Sequence, residues 1–464
     1  MRSIKLFIGA LALLFTQLAF AQQDSVPFIK GNVNISITKG TIDCDFIMKS
    51  MPRIQDYVIR INSGMNIHNF KNLKAGNLLY FERDKNDTTS SGETLAYYFP
   101  GNKGKGKFLP QELQLKYVGM YPVITDTTSV EDWRGNIAFN GYSLRAEGLQ
   151  SAWYPVLYDL KKQVRYEKVK YDLNINCADC STIYLNGNPP VKGTHAEFKS
   201  DIPTQLVLFC GNYDFVGLSG AWLLNSGFDK VQQQQFGDMI KSFQKYYLQN
   251  LGIPYKGDIA YIQTTPTAKD YAFAFNADPT VINIGSGKYS LKTYFDKGGV
   301  DFNKHTTAHE LGHYYFGTYL RPNSYFGPVI NESFTEFLAF KVTKKLISDS
   351  AYTKQLNDKI RAMKNFQPLP VSKIRKEEDF RNRELYVYYY VPVVLLAVEK
   401  EVGEKAMWKW LRTMLNTPTD FTDYAFLEKT FMTSFPQKDA ERIKAKYFDS
   451  NEALKNAVSE VQSK

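Results

Sequence analysis

At 464 residues the chain exceeds the span of one ordinary domain, so two or three units are expected. Its 44% hydrophobic and 15% aromatic residues are ample for packed cores and exclude a disordered chain. The formal charge of +10 is dispersed rather than gathered into an arm, which argues against nucleic acid as a partner; the densest basic run, Asn102 to Lys107, reads as a solvated loop.

Met1-Arg2-Ser3-Ile4-Lys5 precedes an apolar run from Leu6 to Phe20, and Ala19-Phe20-Ala21 supplies a cleavage site before Gln22-Gln23-Asp24. A basic start, an apolar stretch and an Ala-x-Ala site predict a signal peptide over residues 1–21. The mature protein is therefore expected to be exported, either to a periplasm or out of the cell. The longest later apolar run, Leu385 to Val398, contains Pro392 and is too short to span a bilayer.

Residues 22–215 are expected to form a β-rich domain. Val33 to Thr38, Tyr57 to Ile61 and Tyr171 to Asn176 alternate with period two. Turn signals such as Asn62-Ser63-Gly64, Asn140-Gly141 and Asn186-Gly187-Asn188 separate them. Short strands at this spacing predict an antiparallel sandwich or saddle-shaped sheet. Its histidines, His68 and His195, have no partner at ligand spacing and are read as surface or packing residues. Cys44, Cys177, Cys180 and Cys210 form an even set, which in an exported chain predicts structural disulfides with three possible pairings.

Residues 216–464 change character. From Lys230 to Leu251 apolar residues recur mostly in steps of three and four, predicting an amphipathic helix that Gly252-Ile253-Pro254 ends. Strands are expected at Asp258–Thr264, Tyr271–Asn276 and Val281–Ile284. Helices are expected from Glu332 to Leu346, Ala351 to Met363 and Glu384 to Lys400, and onward to the end. A small sheet followed by a bundle of helices makes this an α+β arrangement.

Three of the five histidines, His305, His309 and His313, fall within nine positions. His309-Glu310-Leu311-Gly312-His313 on a helix sets two imidazoles one turn apart on one face, where they can share a zinc ion. Catalytic zinc takes three protein ligands and keeps one position open. Glu332, eighteen residues beyond His313 at the start of another helix, is the best third ligand. Zinc acidifies water to a pKa of about 7, and Glu310 stands where it can take the proton and return it to a leaving nitrogen. His305, one turn before His309, reads as a neighbour of the site rather than a ligand.

His309 to Gly317, HELGHYYFG, resembles the HELxHxWFG segment of the aminopeptidase N-like gluzincin family. Asn331-Glu332-Ser333-Phe334 resembles its NEGF, with the same separation. The likeness is strong over residues 305–337 and looser over most of the rest. It implies a thermolysin-like catalytic domain ending in a helical lobe, behind an N-terminal β domain. It implies zinc held by His309, His313 and Glu332, Glu310 as general base, and a peptide substrate. Glu336, one turn after Glu332, can accept the second ring N–H of a ligand histidine. The family's YxKG tyrosine, which stabilises the oxyanion, corresponds to Tyr390, with Tyr389 the close alternative; the Lys and Gly are replaced by Pro392 and Val393.

The family's GxMEN segment has its best match at Ala272-Phe273-Ala274-Phe275-Asn276. Phe275 then stands where a Glu would bind the substrate's α-amine, so the amine-anchoring segment is altered. The chain ends at residue 464, without the large C-terminal helical domain many members carry, and a more open cleft is expected. The resemblance implies an exported zinc metallopeptidase, aminopeptidase-like in its chemistry. The alternative is a catalytically weakened, zinc-containing peptide-binding protein.

Overall fold

Alternating apolar residues in the first half pair into three sheets. The computed structural model describes residues 26–463 apart from 88–91, 103–104, 126–133, 265–266, 268–272, 286, 288–289 and 420; the predicted leader lies outside them. The largest sheet has seven strands in the order His195–Gln205, Lys168–Cys177, Phe28–Ser36, Thr41–Lys49, Leu113–Met120, Met65–Asn72 and Asn77–Leu79. Neighbours are antiparallel except Phe28–Ser36, which runs parallel to Lys168–Cys177. Two five-stranded antiparallel sheets complete this part. Thr41–Lys49 shows the cause: Ile42, Cys44, Phe46 and Met48 are buried while intervening residues face outward. Phe46 packs edge-on against Tyr117 and Trp153 at the centre of this core.

The cysteines differ from expectation. All four are buried free thiols. Cys44 lies in the core beside Tyr117, whereas Cys180 Sγ, 3.3 Å from the carbonyl of Cys177, sits in a cluster with the thiols of Cys177 and Cys210.

The second half opens on a mixed five-stranded sheet ordered Phe215–Leu218, Ala221–Leu224, Ile259–Thr264, Thr280–Ile284, Phe273–Ala277. Its three inner strands are parallel, and all of Ile259–Thr264 is buried, as a strand covered on both faces must be. Phe273–Ala277 is an antiparallel edge strand. Helix Lys230–Leu251 starts on a capping box between Asp229 and Gln232 and stops at Gly252, whose φ of 73° only glycine adopts readily. Its Tyr247 hydroxyl donates to the Ala308 carbonyl at 2.7 Å and so anchors the HExxH helix, Val300–Gly312.

Helix Phe334–Val342 packs on that helix, Val391–Val402 packs on Phe334–Val342, and Asp349–Ala362 packs on the turn Thr343–Ile347. Four more, Glu404–Asn416, Tyr424–Ser434, Gln437–Tyr447 and Ala453–Gln462, extend the lobe. Trp410 is its buried centre, ringed by Phe334, Phe431 and Phe448. Among the described residues no helix is long and apolar enough to cross a membrane.

The two halves interlock through Asn186. Its amide donates to the carbonyls of Gln205, Ala277 and Asp278, and its Oδ1 accepts from Thr280. Val207 of the first half packs with Phe275, Ala277 and Ile282 of the second.

The HExxH helix approaches Phe334–Val342 closely because Gly312 has no side chain: a Cβ there would stand 2.9 Å from Thr335 Cγ2. Gly312→Val is therefore expected to push the helices apart at a cost of about 1–3 kcal/mol. Urea denaturation checks this, and an unchanged midpoint would show the approach is not tight.

Candidate metal centre

Helical spacing stacks His309 and His313 on one face of Val300–Gly312, with ring centroids 4.8 Å apart. Both Nε2 atoms converge on one oxygen of Glu332, at 3.4 Å from His309 and 3.5 Å from His313. Within this set, one ligand atom from each residue lies inside 4.8 Å of the others. Glu332 reaches them from the wide helical turn Val329–Ser333, which leads into Phe334–Val342.

Each histidine has its far nitrogen committed. His309 Nδ1 donates to Glu336 Oε2 at 2.6 Å, and His313 Nδ1 faces Asn331 Oδ1 at 3.2 Å. That turns both Nε2 atoms toward Glu332. Asn331 also donates to Glu332 Oε1 at 2.9 Å, so one amide orients two members of the set. Gly317 makes room for it, since a Cβ there would meet Asn331 Oδ1 at 2.7 Å.

Glu336 is buried with three donors. Besides His309, its carboxylate meets His305 Nε2 at 2.9 Å and Lys359 Nζ at 2.8 Å. Burial opposes its charge, but Lys359 and the histidines outweigh burial and hold it well below the usual carboxylate range. His305 is braced in turn by Thr343 at 2.7 Å and points away from the ligand set.

The electrostatics favour a cation. Burial disfavours a charged His309, yet bonds to Glu332 and Glu336 raise its pKa to about 10. Burial lowers His313 to about 4. Glu332 would rise on burial but is held at about 2 by the two histidines. Buried Glu332 and Glu336 thus draw a proton onto His309, where a metal ion would satisfy the same deficit. Tetrahedral zinc about 2.0–2.1 Å from each donor spaces the donors about 3.3 Å apart, close to the 3.4 and 3.5 Å observed. The donor set fits zinc.

Glu310 projects into the same cleft, a cavity of about 680 Å³ between the two halves. Its Oε2 is buried with no hydrogen-bond partner, and burial lifts its pKa to about 7. The edge strand is tied to it: Asn276 Nδ2 donates to the Glu310 carbonyl at 3.0 Å. Phe275 lines the cleft on that strand, with the Arg134 guanidinium 4.7 Å above its ring.

The tyrosines correct the expected register. Tyr390 is fully buried, its ring packs on Tyr386 at 5.1 Å, and it does not line the cleft. Tyr388 faces the metal set instead, its ring 5.9 Å from His309 and its hydroxyl bonded to Glu332. Tyr389 lines the cleft farther out, under Lys359 Nζ at 4.5 Å. The cause is a wide turn over Leu385–Tyr390, where Val391 N–H bonds to the Tyr386 carbonyl five residues back. All three tyrosines lie on this turn, whose wider spacing sets their directions apart from those of a regular α-helix. Nothing in the sequence marked Arg134 or Lys359 as neighbours of the site, because their partners lie far off in the chain.

No family model matches this chain, and no curated protein matches it in sequence. Solved structures do match in fold. An M1 zinc metallopeptidase from Deinococcus radiodurans superposes with a TM-score of 0.60 at 13% identity, covering 91% of this chain and 92% of that one. A mutant of that peptidase bound to a Tyr-Ser-Ala substrate gives 0.59 at 12%, covering 91% and 94%. Leukotriene A4 hydrolase from Saccharomyces cerevisiae gives 0.58 at 14%, covering 92% and 67%. The chain thus has the fold of the M1 zinc metallopeptidases, a β-rich N-terminal part joined to an α+β part that ends in helices.

Removing the Glu336 carboxylate should free the His309 ring and leave Lys359 uncompensated. Glu336→Gln is expected to weaken Zn²⁺ binding about 10–100-fold, whereas Tyr390→Phe should leave it unchanged. Competition with a chromophoric chelator measures both, and equal affinities for all three proteins would remove Glu336 from the site.

Proposed function

We propose that this chain is an exported zinc metallopeptidase that hydrolyses peptide bonds, with a β-rich domain over residues 22–215 and a catalytic domain over 216–464. The observation that carries the reading is the unpartnered carboxylate of Glu310, buried beside a three-residue ligand set in an open cleft. A structural metal site has no use for such a group, whereas hydrolysis requires one. The fold likeness to a peptidase seen with a tripeptide substrate supports the same conclusion.

Zinc held by His309, His313 and Glu332 would supply Lewis acidity, acidifying water and polarising a carbonyl. Glu310 takes the proton from the attacking water and delivers it to the departing nitrogen; a pKa near neutrality suits both transfers. Glu336 and Asn331 hold the two imidazoles in the tautomer that offers Nε2 inward. Tyr388 presents its hydroxyl beside Glu332, where it can donate to the negative charge that grows on the carbonyl oxygen.

Glu310→Gln should keep stoichiometric zinc and lose about 10²–10⁴-fold in kcat. A peptide-mixture digest read by mass spectrometry, run beside zinc analysis of both proteins, tests this. Zinc-loaded wild type that cleaves nothing would overturn the hydrolase reading and leave a zinc-containing peptide-binding protein. Tyr388→Phe should lower kcat about 10²–10³-fold, while Tyr390→Phe should stay near wild type. The reverse order would return the oxyanion role to Tyr390.

A further inference from the structure

The end of the cleft beside Phe275 carries a positive charge whose donors are not used up. Arg134 lies over the Phe275 ring at 4.7 Å and lines the cleft together with Glu310, Gln205 and Leu149. Its Nε donates to Glu147 Oε2 at 3.2 Å. Among the described residues, Nη1 and Nη2 meet no acceptor.

Glu147 is the ion-pair partner of Arg134 at Nε, and Glu310 is a further anionic neighbour, but Glu147 is fully used elsewhere. It is 1% exposed, and its two oxygens accept from the N–H groups of Leu149, Gln150 and Ser151 and from Gln205 Nε2 as well as from Arg134. A carboxylate so fully donated to is buried structure with nothing left to offer a ligand. The Arg134 side chain, by contrast, is 23% exposed. Among the other cations lining the cleft, Lys359 is held on Glu336 at 2.8 Å and Lys168 against Thr318 at 3.3 Å and close to Asp278, while Arg383 lies on the metal-set side, near Glu332 and Tyr388.

A guanidinium with both terminal nitrogens open, stacked on an aromatic face and fixed at Nε, is shaped for two-pronged hydrogen bonding to a carboxylate. The same charge repels an ammonium. The strand carrying Phe275 is a sheet edge, with backbone groups along which an extended peptide can lie. We propose that Arg134 and Phe275 form a carboxylate subsite, so that the substrates of this cleft are peptides bearing an acidic side chain beside the scissile bond rather than peptides anchored by a free α-amine. The inference rests on the peptidase reading of the same cleft.

The test uses matched N-acetylated peptides that differ only in Glu against Gln at each position flanking the cut. Wild type should prefer the Glu peptide about tenfold or more in kcat/KM, the scale of a charge-assisted hydrogen bond. Arg134→Met should bring the ratio toward one, and so should Phe275→Glu, which places a competing carboxylate under the guanidinium. Binding of the same peptides to the Glu310→Gln protein, read by fluorescence anisotropy, reports the preference without turnover. A Glu-to-Gln ratio near one in wild type, or one unmoved in both variants, would overturn the subsite while leaving hydrolysis intact. Absence of any cleavage would instead overturn the peptidase reading, and the anisotropy arm would still decide the subsite.

Discussion

The carboxylate of Glu336 is the interaction on which the catalytic half depends. It is a buried charge, and burying an unpaired carboxylate costs several kcal/mol. The chain meets that cost with three donors, two from the HExxH helix and one from Asp349–Ala362. Three helices are thereby fixed relative to one another by a single group. The orientation of His309 is one consequence, because its Nδ1 is one of the donors. The closeness of the helices is another, and Gly312 is what permits it.

Much of the candidate metal centre was legible because it is local. His309 and His313 share a helix face by spacing alone, and Glu310 follows from the same five residues. The amphipathic stripe and glycine stop of Lys230–Leu251 were equally plain. Legibility was poorer where the helices depart from 3.6 residues per turn, although Glu332, on one such turn, was found by its spacing. Wide turns occur at Tyr314–Tyr319, Val329–Ser333 and Leu385–Tyr390, all around the site. A pattern count cannot see them. The tyrosine was missed through motif register: with Lys and Gly replaced by Pro392 and Val393, the YxKG match pointed to Tyr390, whereas Tyr388 faces the metal set. The cysteines failed for another reason: an even count in an exported chain suits disulfides, but cysteine is also a good small apolar residue for a sheet core.

What local reading could not reach is the far wall of the cleft. Arg134 and Glu147 belong to the β-rich half, and Phe275 lies more than a hundred residues later in the chain. They meet only because Asn186 ties strand ends of both halves together and Val207 packs against Phe275. No periodicity or motif in either segment announces that contact. Lys359 was invisible on the same grounds, since only the packed helices bring it to Glu336.

This division between local and distant parts runs through the cleft itself. The metal-set residues lie on contiguous helices locked through Glu336, where a substitution disturbs charge, packing and ligand geometry together. The facing wall of the cleft is assembled from two sheets, one from each half of the chain. Its key charge, Arg134, is held at Nε and leaves its terminal nitrogens to whatever enters. Arg134 also acts through space on Glu310 and His313, so the two walls of the cleft are coupled by charge. The cleft is thus built in two ways: one wall from helices locked through a buried carboxylate, the other from a cation and an aromatic ring brought together from two sheets.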